Sequence, residues 1–345
     1  MSLVFVGTYT DTGSEGIYAY RLDEATGALS GLSITPSENP SYLAIHPNGR
    51  YLYAANELAE GTVTAYAVDS PSGRLSQLNQ ASTHGHSPCY LCVDPTGHHL
   101  LVTNYFGGNV VVLPIQADGS LGAATAVVQH QGVGPNPERQ EAPHPHSVEI
   151  DPSERLAWVQ DLGLDRLVPY RLADGVLVAT PAGVQMPPGA GPRHMAWHPA
   201  KRFAYVINEL NSTITAFAYH QEHGTLTALQ TVPTLPAGGH NGNTGADIHL
   251  HPSGRFLYGS NRGHDSIVQY RVDPQSGLVT YVRHEPTQGR TPRNFAIDPT
   301  GRFLLVANQE SDSLVSFRID GETGRLSPTG HLSTVPRPVC IKFLG

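Results

Sequence analysis

Short runs of alternating apolar and polar residues, rich in Val, Ile, Tyr and Phe, fill this chain, and glycine or proline cuts them off at short intervals. No stretch sustains a helical period, so the pattern predicts strands throughout. An eight-residue segment recurs seven times: PSYLAIHP from Pro40, PCYLCVDP from Pro88, PHSVEIDP from Pro145, PRHMAWHP from Pro192, GADIHLHP from Gly245, PRNFAIDP from Pro292 and PVCIKFLG from Pro338. Successive copies start 46 to 57 residues apart. Each of the first six runs into a P-x-G-R-like turn and then a second apolar strand, ending at Asn56, Asn104, Asp161, Asn208, Asn261 or Asn308. An alternating run such as TVTAYAVD and a weaker last strand complete a four-stranded antiparallel meander.

Four strands at this period describe a β-propeller blade, and seven blades account for residues 1–345 as a single all-β domain. The N-terminal LVFVGT, GIYAYRLD and LSGLSIT match strands two to four of a blade, whereas PVCIKFL matches only a first strand. The last blade is therefore expected to be closed by N- and C-terminal strands, which leaves no open sheet edge.

Composition narrows the function. The net charge is −8, and no cluster of Lys or Arg offers a track for phosphates, so nucleic acid is not an expected partner. No run approaches a membrane-spanning length, and MSLVFVGTYT reads as a strand rather than a signal peptide, which points to the cytoplasm and away from a membrane. Three cysteines make no disulfide framework, and Cys89 and Cys92 are expected to be buried thiols. A monomer or weak homo-oligomer is expected.

Strand direction places the chemistry. In a meander, the connection into each first strand and the loop after each second strand share one face, and the P-x-G-R turns lie on the other. Entering first strands on that face are His84 and His86, His144 and His146, Arg193 and His194, His240 and Asp247, and Arg293. Ending second strands there are Glu57, Tyr105, Glu209, Arg262 and Glu310. The two longest repeats carry their extra residues on the same face, as GVGPNPERQEAPH and PAGGHNGNTG.

Other repeated residues are expected to be structural. The asparagines ending second strands should close turns, His46, His198 and His251 should belong to turns on the far face, and Arg50, Arg255 and Arg302 should join blades. His146, Arg193, Glu209 and Arg262 break the repeat pattern, and turn chemistry does not require them. The arginines disfavour a metal ion at this mouth, and no nucleophile elbow, zinc-helix, P-loop or dinucleotide motif occurs, so no cofactor is expected.

The segments VGTYT, SPCYLCVD, PERQEAPHPH, GAGPRHMAWHP, INELNS, NRGHDSI and PVCIKFL resemble the seven-bladed propeller lactonase family, along the whole chain. That family includes bacterial 6-phosphogluconolactonase and, further off, 3-carboxymuconate-cyclising enzymes. The resemblance implies a lactone hydrolase opening 6-phosphoglucono-1,5-lactone by general-base activated water, with a cycloisomerase as the alternative and a non-catalytic binding propeller third. It carries the histidine, two arginines and glutamate of the cyclising enzymes onto His146, Arg193, Arg262 and Glu209. For a lactone, Glu209 or His146 would be the base, Arg193 would face the carbonyl oxygen, and Arg262 with Arg293 would hold the phosphate of a small anionic substrate. His86, His144, His194, Asp247 and Glu310 complete the expected substrate-binding set.

Overall fold

The computed structural model describes residues 2–239 and 241–344; His240, expected on the functional face, lies outside them. Seven antiparallel sheets form a ring in chain order. Their first strands are Pro40–Ile45, Pro88–Val93, Pro145–Ile150, Pro192–Trp197, Thr244–Leu250, Pro292–Ile297 and Pro338–Leu344, here blades 1 to 7. Each first strand packs against the next, and the last returns to the first. In blade 7 the C-terminal strand Pro338–Leu344 pairs with Leu3–Thr8, which closes the ring with both ends of the chain. Among the described residues, blade 3 alone carries a fifth strand, because its outer edge is split into Val176–Ala179 and the two-residue Val184–Gln185, both paired to Arg166–Ala173. No helix among the described residues is long and apolar enough to cross a membrane.

The copies show why these segments sit innermost. Their fourth residues are all apolar: Leu43, Leu91, Val148, Met195, Ile248, Phe295 and Ile341. All seven are buried between blades. Strand alternation then turns the third and fifth residues to the central channel.

The turns on the far face join neighbouring blades. His46 Nδ1 accepts the backbone N–H of Asn48 at 3.1 Å, so its Nε2–H donates to the carbonyl of Gly97 in the next blade at 2.9 Å. His198 and His251 reach Gly254 at 3.1 Å and Gly301 at 2.9 Å in the same way. Each of these glycines has a positive φ, and a Cβ at Gly97 would lie 2.5 Å from the His46 ring, so the turn excludes a side chain. Arg255 donates to Gly321 and Arg302 pairs with Glu24 at 3.1 Å, both across blades, whereas Arg50 lies over the adjacent Tyr51 ring. Four of the strand-ending asparagines donate to the preceding connection, as Asn104 Nδ2 does to Thr83 O at 2.9 Å and Asn261 Nδ2 to Thr234 O at 2.8 Å, whereas Asn208 donates to Thr213 and Thr215 in the next strand.

Candidate functional site

At the near mouth, every first strand slips register against its second strand, just after the opening proline in six blades and between Gly245 and Ile248 in blade 5. A bulge leaves its extra residue unpaired and re-aims its side chain. His146, Arg193 and Arg293 occupy this position in blades 3, 4 and 6, and Cys89 does so in blade 2. The repeat thus supplies a ring of bulges, and the irregular copies load it with functional groups.

Beneath the near face lies a cavity of about 330 Å³, lined by Tyr9, Glu57, Cys89, Tyr105, Arg139, His144, His146, Glu209, Arg262 and Arg293 among others. Glu209 anchors it. Its Oε2 accepts from Arg193 Nε at 2.9 Å and Arg262 Nη2 at 2.8 Å, and its Oε1 accepts from Arg139 Nη2 at 2.5 Å. Burial alone would raise the Glu209 carboxyl, but Arg262, Arg193 and Arg139 outweigh it and hold the group well below the ordinary 4.5. A carboxylate committed to three guanidinium groups is a scaffold and a poor base.

His146 is the opposite case. Burial, followed by the nearby charges of Arg193, Arg293 and Arg262, pushes its imidazole well below the ordinary 6.5. It is therefore neutral at pH 7. Its Nδ1 faces the Cys89 sulfur at 4.0 Å, and Nε2 makes no hydrogen bond within the described residues. The Cys89 thiol is pushed up to about 12 by burial, so it is no thiolate nucleophile.

Arg262 and Arg293 face the cavity in different states. Arg262 donates from one nitrogen to both Glu209 and Gly245 O, and burial brings it down to about 10. Arg293 lies 5.4 Å from the centre of the Tyr9 ring, and its guanidinium makes no hydrogen bond or ion pair within the described residues. Tyr9 itself donates to Glu57 at 2.9 Å. Arg293 thus keeps its whole guanidinium uncommitted, and Arg262 keeps Nε without a partner among the described residues.

Five of the ten residues expected from sequence line the cavity: His144, His146, Glu209, Arg262 and Arg293. Both nitrogens of His144 are occupied, by Tyr105 O at 2.9 Å and Glu141 at 3.1 Å, and its ring stacks on Tyr105. Arg193 is 2 % exposed and stands behind Glu209 rather than on the wall. Its Nη1 donates to Ala246 O at 2.6 Å and to His194 Nε2 at 3.0 Å. His194 Nδ1–H in turn donates to Asp247 Oδ1 at 2.7 Å, so these two support Arg193 instead of meeting the cavity. His86 is exposed beside Phe106, because the chain there has not yet turned into the channel. Glu310 is carried outward by the turn Gln309–Ser311 and pairs with Arg337 at 3.0 Å.

Arg139, Tyr9 and Cys89 are wall residues that the repeat did not single out. Arg139 lies on the long insertion before blade 3, and the length of that loop is its one sequence signal.

Comparison with known proteins agrees with this architecture. The family described as "Lactonase, 7-bladed beta-propeller" matches residues 3–343. The 6-phosphogluconolactonase of Bacillus subtilis (strain 168) is 42% identical over 342 residues, 99% of this chain and 97% of that protein. The 6-phosphogluconolactonase of Formosa agariphila is 34% identical over 85% of both. The structure of the Pseudomonas aeruginosa periplasmic gluconolactonase PpgL superposes with a TM-score of 0.96 at 39% identity, covering 100% of this chain and 99% of that one.

Proposed function

The chain belongs to the seven-bladed β-propeller lactonase family, and from that premise we propose that it opens 6-phosphoglucono-1,5-lactone to the open acid, with His146 as general base. One observation carries the assignment: a neutral imidazole with an uncommitted Nε2 shares a cavity with the guanidinium groups of Arg262 and Arg293. Lactone hydrolysis needs a base for water, donors for the developing oxyanion and a grip on the substrate. His146 Nε2 takes a proton as the water oxygen bonds to the lactone carbonyl carbon. The carbonyl oxygen gains negative charge, and Arg262 supplies the donors for it. Collapse breaks the bond to the ring oxygen, which leaves with the proton that His146 returns.

Arg293, without a hydrogen bond or ion pair among the described residues, takes the phosphate, for which a planar guanidinium is well shaped. Arg193 has a different role from facing the carbonyl: with Glu209 it fixes the position of Arg262. A doubly charged phosphate ester does not cross a bilayer unaided, so the cytoplasm is the compartment this reading assigns.

The test follows acid release from freshly made 6-phosphoglucono-1,5-lactone and from glucono-1,5-lactone, with spontaneous hydrolysis subtracted. A clear preference for the phosphorylated lactone is expected. Equal rates would overturn the phosphate assignment while leaving lactone hydrolysis standing, and no acceleration of either would overturn both.

A further inference from the structure

The channel holds a second chamber. A cavity of about 360 Å³ opens on the far face, near Pro199 and Pro252, and shares no lining residue with the first. Third residues of the copies separate the two. Tyr42 stacks on Tyr90 at 4.1 Å, the His194 ring meets Tyr90 at 5.1 Å, and Asp247 ties His194 to Asn294.

The fifth residues of the copies line the channel beyond this septum. Four are small and uncharged, Ala44, Cys92, Ala196 and Ala296, and three are ionisable: Glu149, His249 and Lys342. These three lie together in the far chamber, and the reaction proposed above uses none of them. Each has bonding capacity left over. Lys342 Nζ donates to Tyr42 OH at 3.2 Å and lies 4.4 Å from the Tyr42 ring centre, with no ion pair to a described carboxylate. Glu149 accepts from Tyr90 OH on one oxygen only. His249 Nε2 is bonded to Asp247 at 3.0 Å, which leaves Nδ1 without a partner among the described residues.

A partly buried ammonium without a counter-ion favours an anion. The neighbouring carboxyl groups of Glu149 and Asp247 would repel a dianion, so the chamber suits a single negative charge and disfavours phosphate. Two remaining acceptors, one oxygen of Glu149 and His249 Nδ1, call for donors on the same molecule. We propose that the far chamber is a second binding site, for a small hydroxy-carboxylate. Its carboxylate pairs with Lys342 and its hydroxyls donate to Glu149 and His249. The site stands whether or not the near cavity hydrolyses lactones.

Trp197 lines this chamber and reports on it, whereas Trp158, the other tryptophan, is wholly buried in a blade. Sodium gluconate is titrated while tryptophan emission is followed, with sorbitol as the uncharged control. We expect a saturable change with gluconate and none with sorbitol at the same concentrations. Lys342→Met should weaken it roughly tenfold or more, as loss of a charge-assisted bond does, and keep lactone turnover, which shows that the variant is folded. Arg293→Gln, in the near cavity, should leave the change intact. The proposal fails if gluconate produces no saturable change, if sorbitol matches gluconate, if Arg293→Gln abolishes the response, or if folded Lys342→Met titrates like the parent. Should Lys342→Met not fold, Glu149→Ala carries the same test, and a response equal to the parent's would overturn the site.

Discussion

Glu209 Oε2 accepts a hydrogen bond from Arg193 Nε at 2.9 Å, and both side chains are almost entirely buried. Two further guanidinium groups converge on the same carboxylate, so the floor of the near cavity is one charged cluster and not a set of independent contacts. Removing one member leaves the others buried with unmatched charge.

Glu209→Gln should therefore cost about 3–5 kcal/mol of stability at neutral pH. Its pH dependence distinguishes the cause. The folded-state pKa of Glu209 is depressed below the ordinary 4.5, so its contribution is complete above that value and is lost as pH falls toward the folded value. Denaturant midpoints of parent and variant should differ by a constant amount above pH 4.5 and converge below it. A gap that stays constant down to strongly acid pH would show that Glu209 acts by packing alone.

His146 must be neutral to accept a proton, and its pKa lies well below 6.5. The acid limb of kcat/KM should accordingly fall below pH 6.5, with a flat profile from there to neutrality. His146→Asn should lose roughly 10²- to 10⁴-fold in turnover. An acid limb centred at or above 6.5, measured after subtracting spontaneous hydrolysis, would remove His146 from the role of base.

The blade count and ring closure were legible in the chain because a strand period repeats wherever one supersecondary unit does, and the split repeat needs both termini. The face bearing the candidate site was legible from strand direction. The depth of each residue was not. Nothing in PHS or PRH announces that His146 and Arg193 sit in bulges, and the bulge decides whether a side chain meets the cavity wall or the layer behind it. His146 falls on the wall; Arg193, from the same position of the next copy, turns behind Glu209. Arg139 was hidden for another reason: the path of a long loop is set by its contacts with Tyr105 and Glu209, far off in sequence.

Arg293 makes no hydrogen bond or ion pair among the described residues and only lies over the Tyr9 ring, so Arg293→Gln should change stability little. Its effect should appear in binding. For the phosphorylated lactone, KM should rise roughly tenfold or more with a smaller change in kcat, and the unphosphorylated lactone should be almost indifferent. Equal losses for both substrates would place Arg293 at the reacting carbonyl instead of the phosphate.

Asp247 acts on the near cavity from three hydrogen bonds away, through a tautomer. Its carboxylate accepts Nδ1–H of His194, which leaves Nε2 as the acceptor for Arg193 Nη1. Burial, with Arg193, brings the His194 pKa down to about 3 against the pull of Asp247, so the ring stays neutral and can satisfy only one arrangement. In Asp247→Asn the amide can donate to Nδ1, which moves the ring proton to Nε2 and sets it against the Arg193 donor. Asp247→Ala removes the partner but lets His194 keep its tautomer. Asp247→Asn, the closer isostere, should therefore lose more kcat than Asp247→Ala, by roughly tenfold, with KM moving less in both. Loss of packing predicts the reverse order, so kinetics of the two variants, compared with their melting temperatures, separate a positioning role from a structural one.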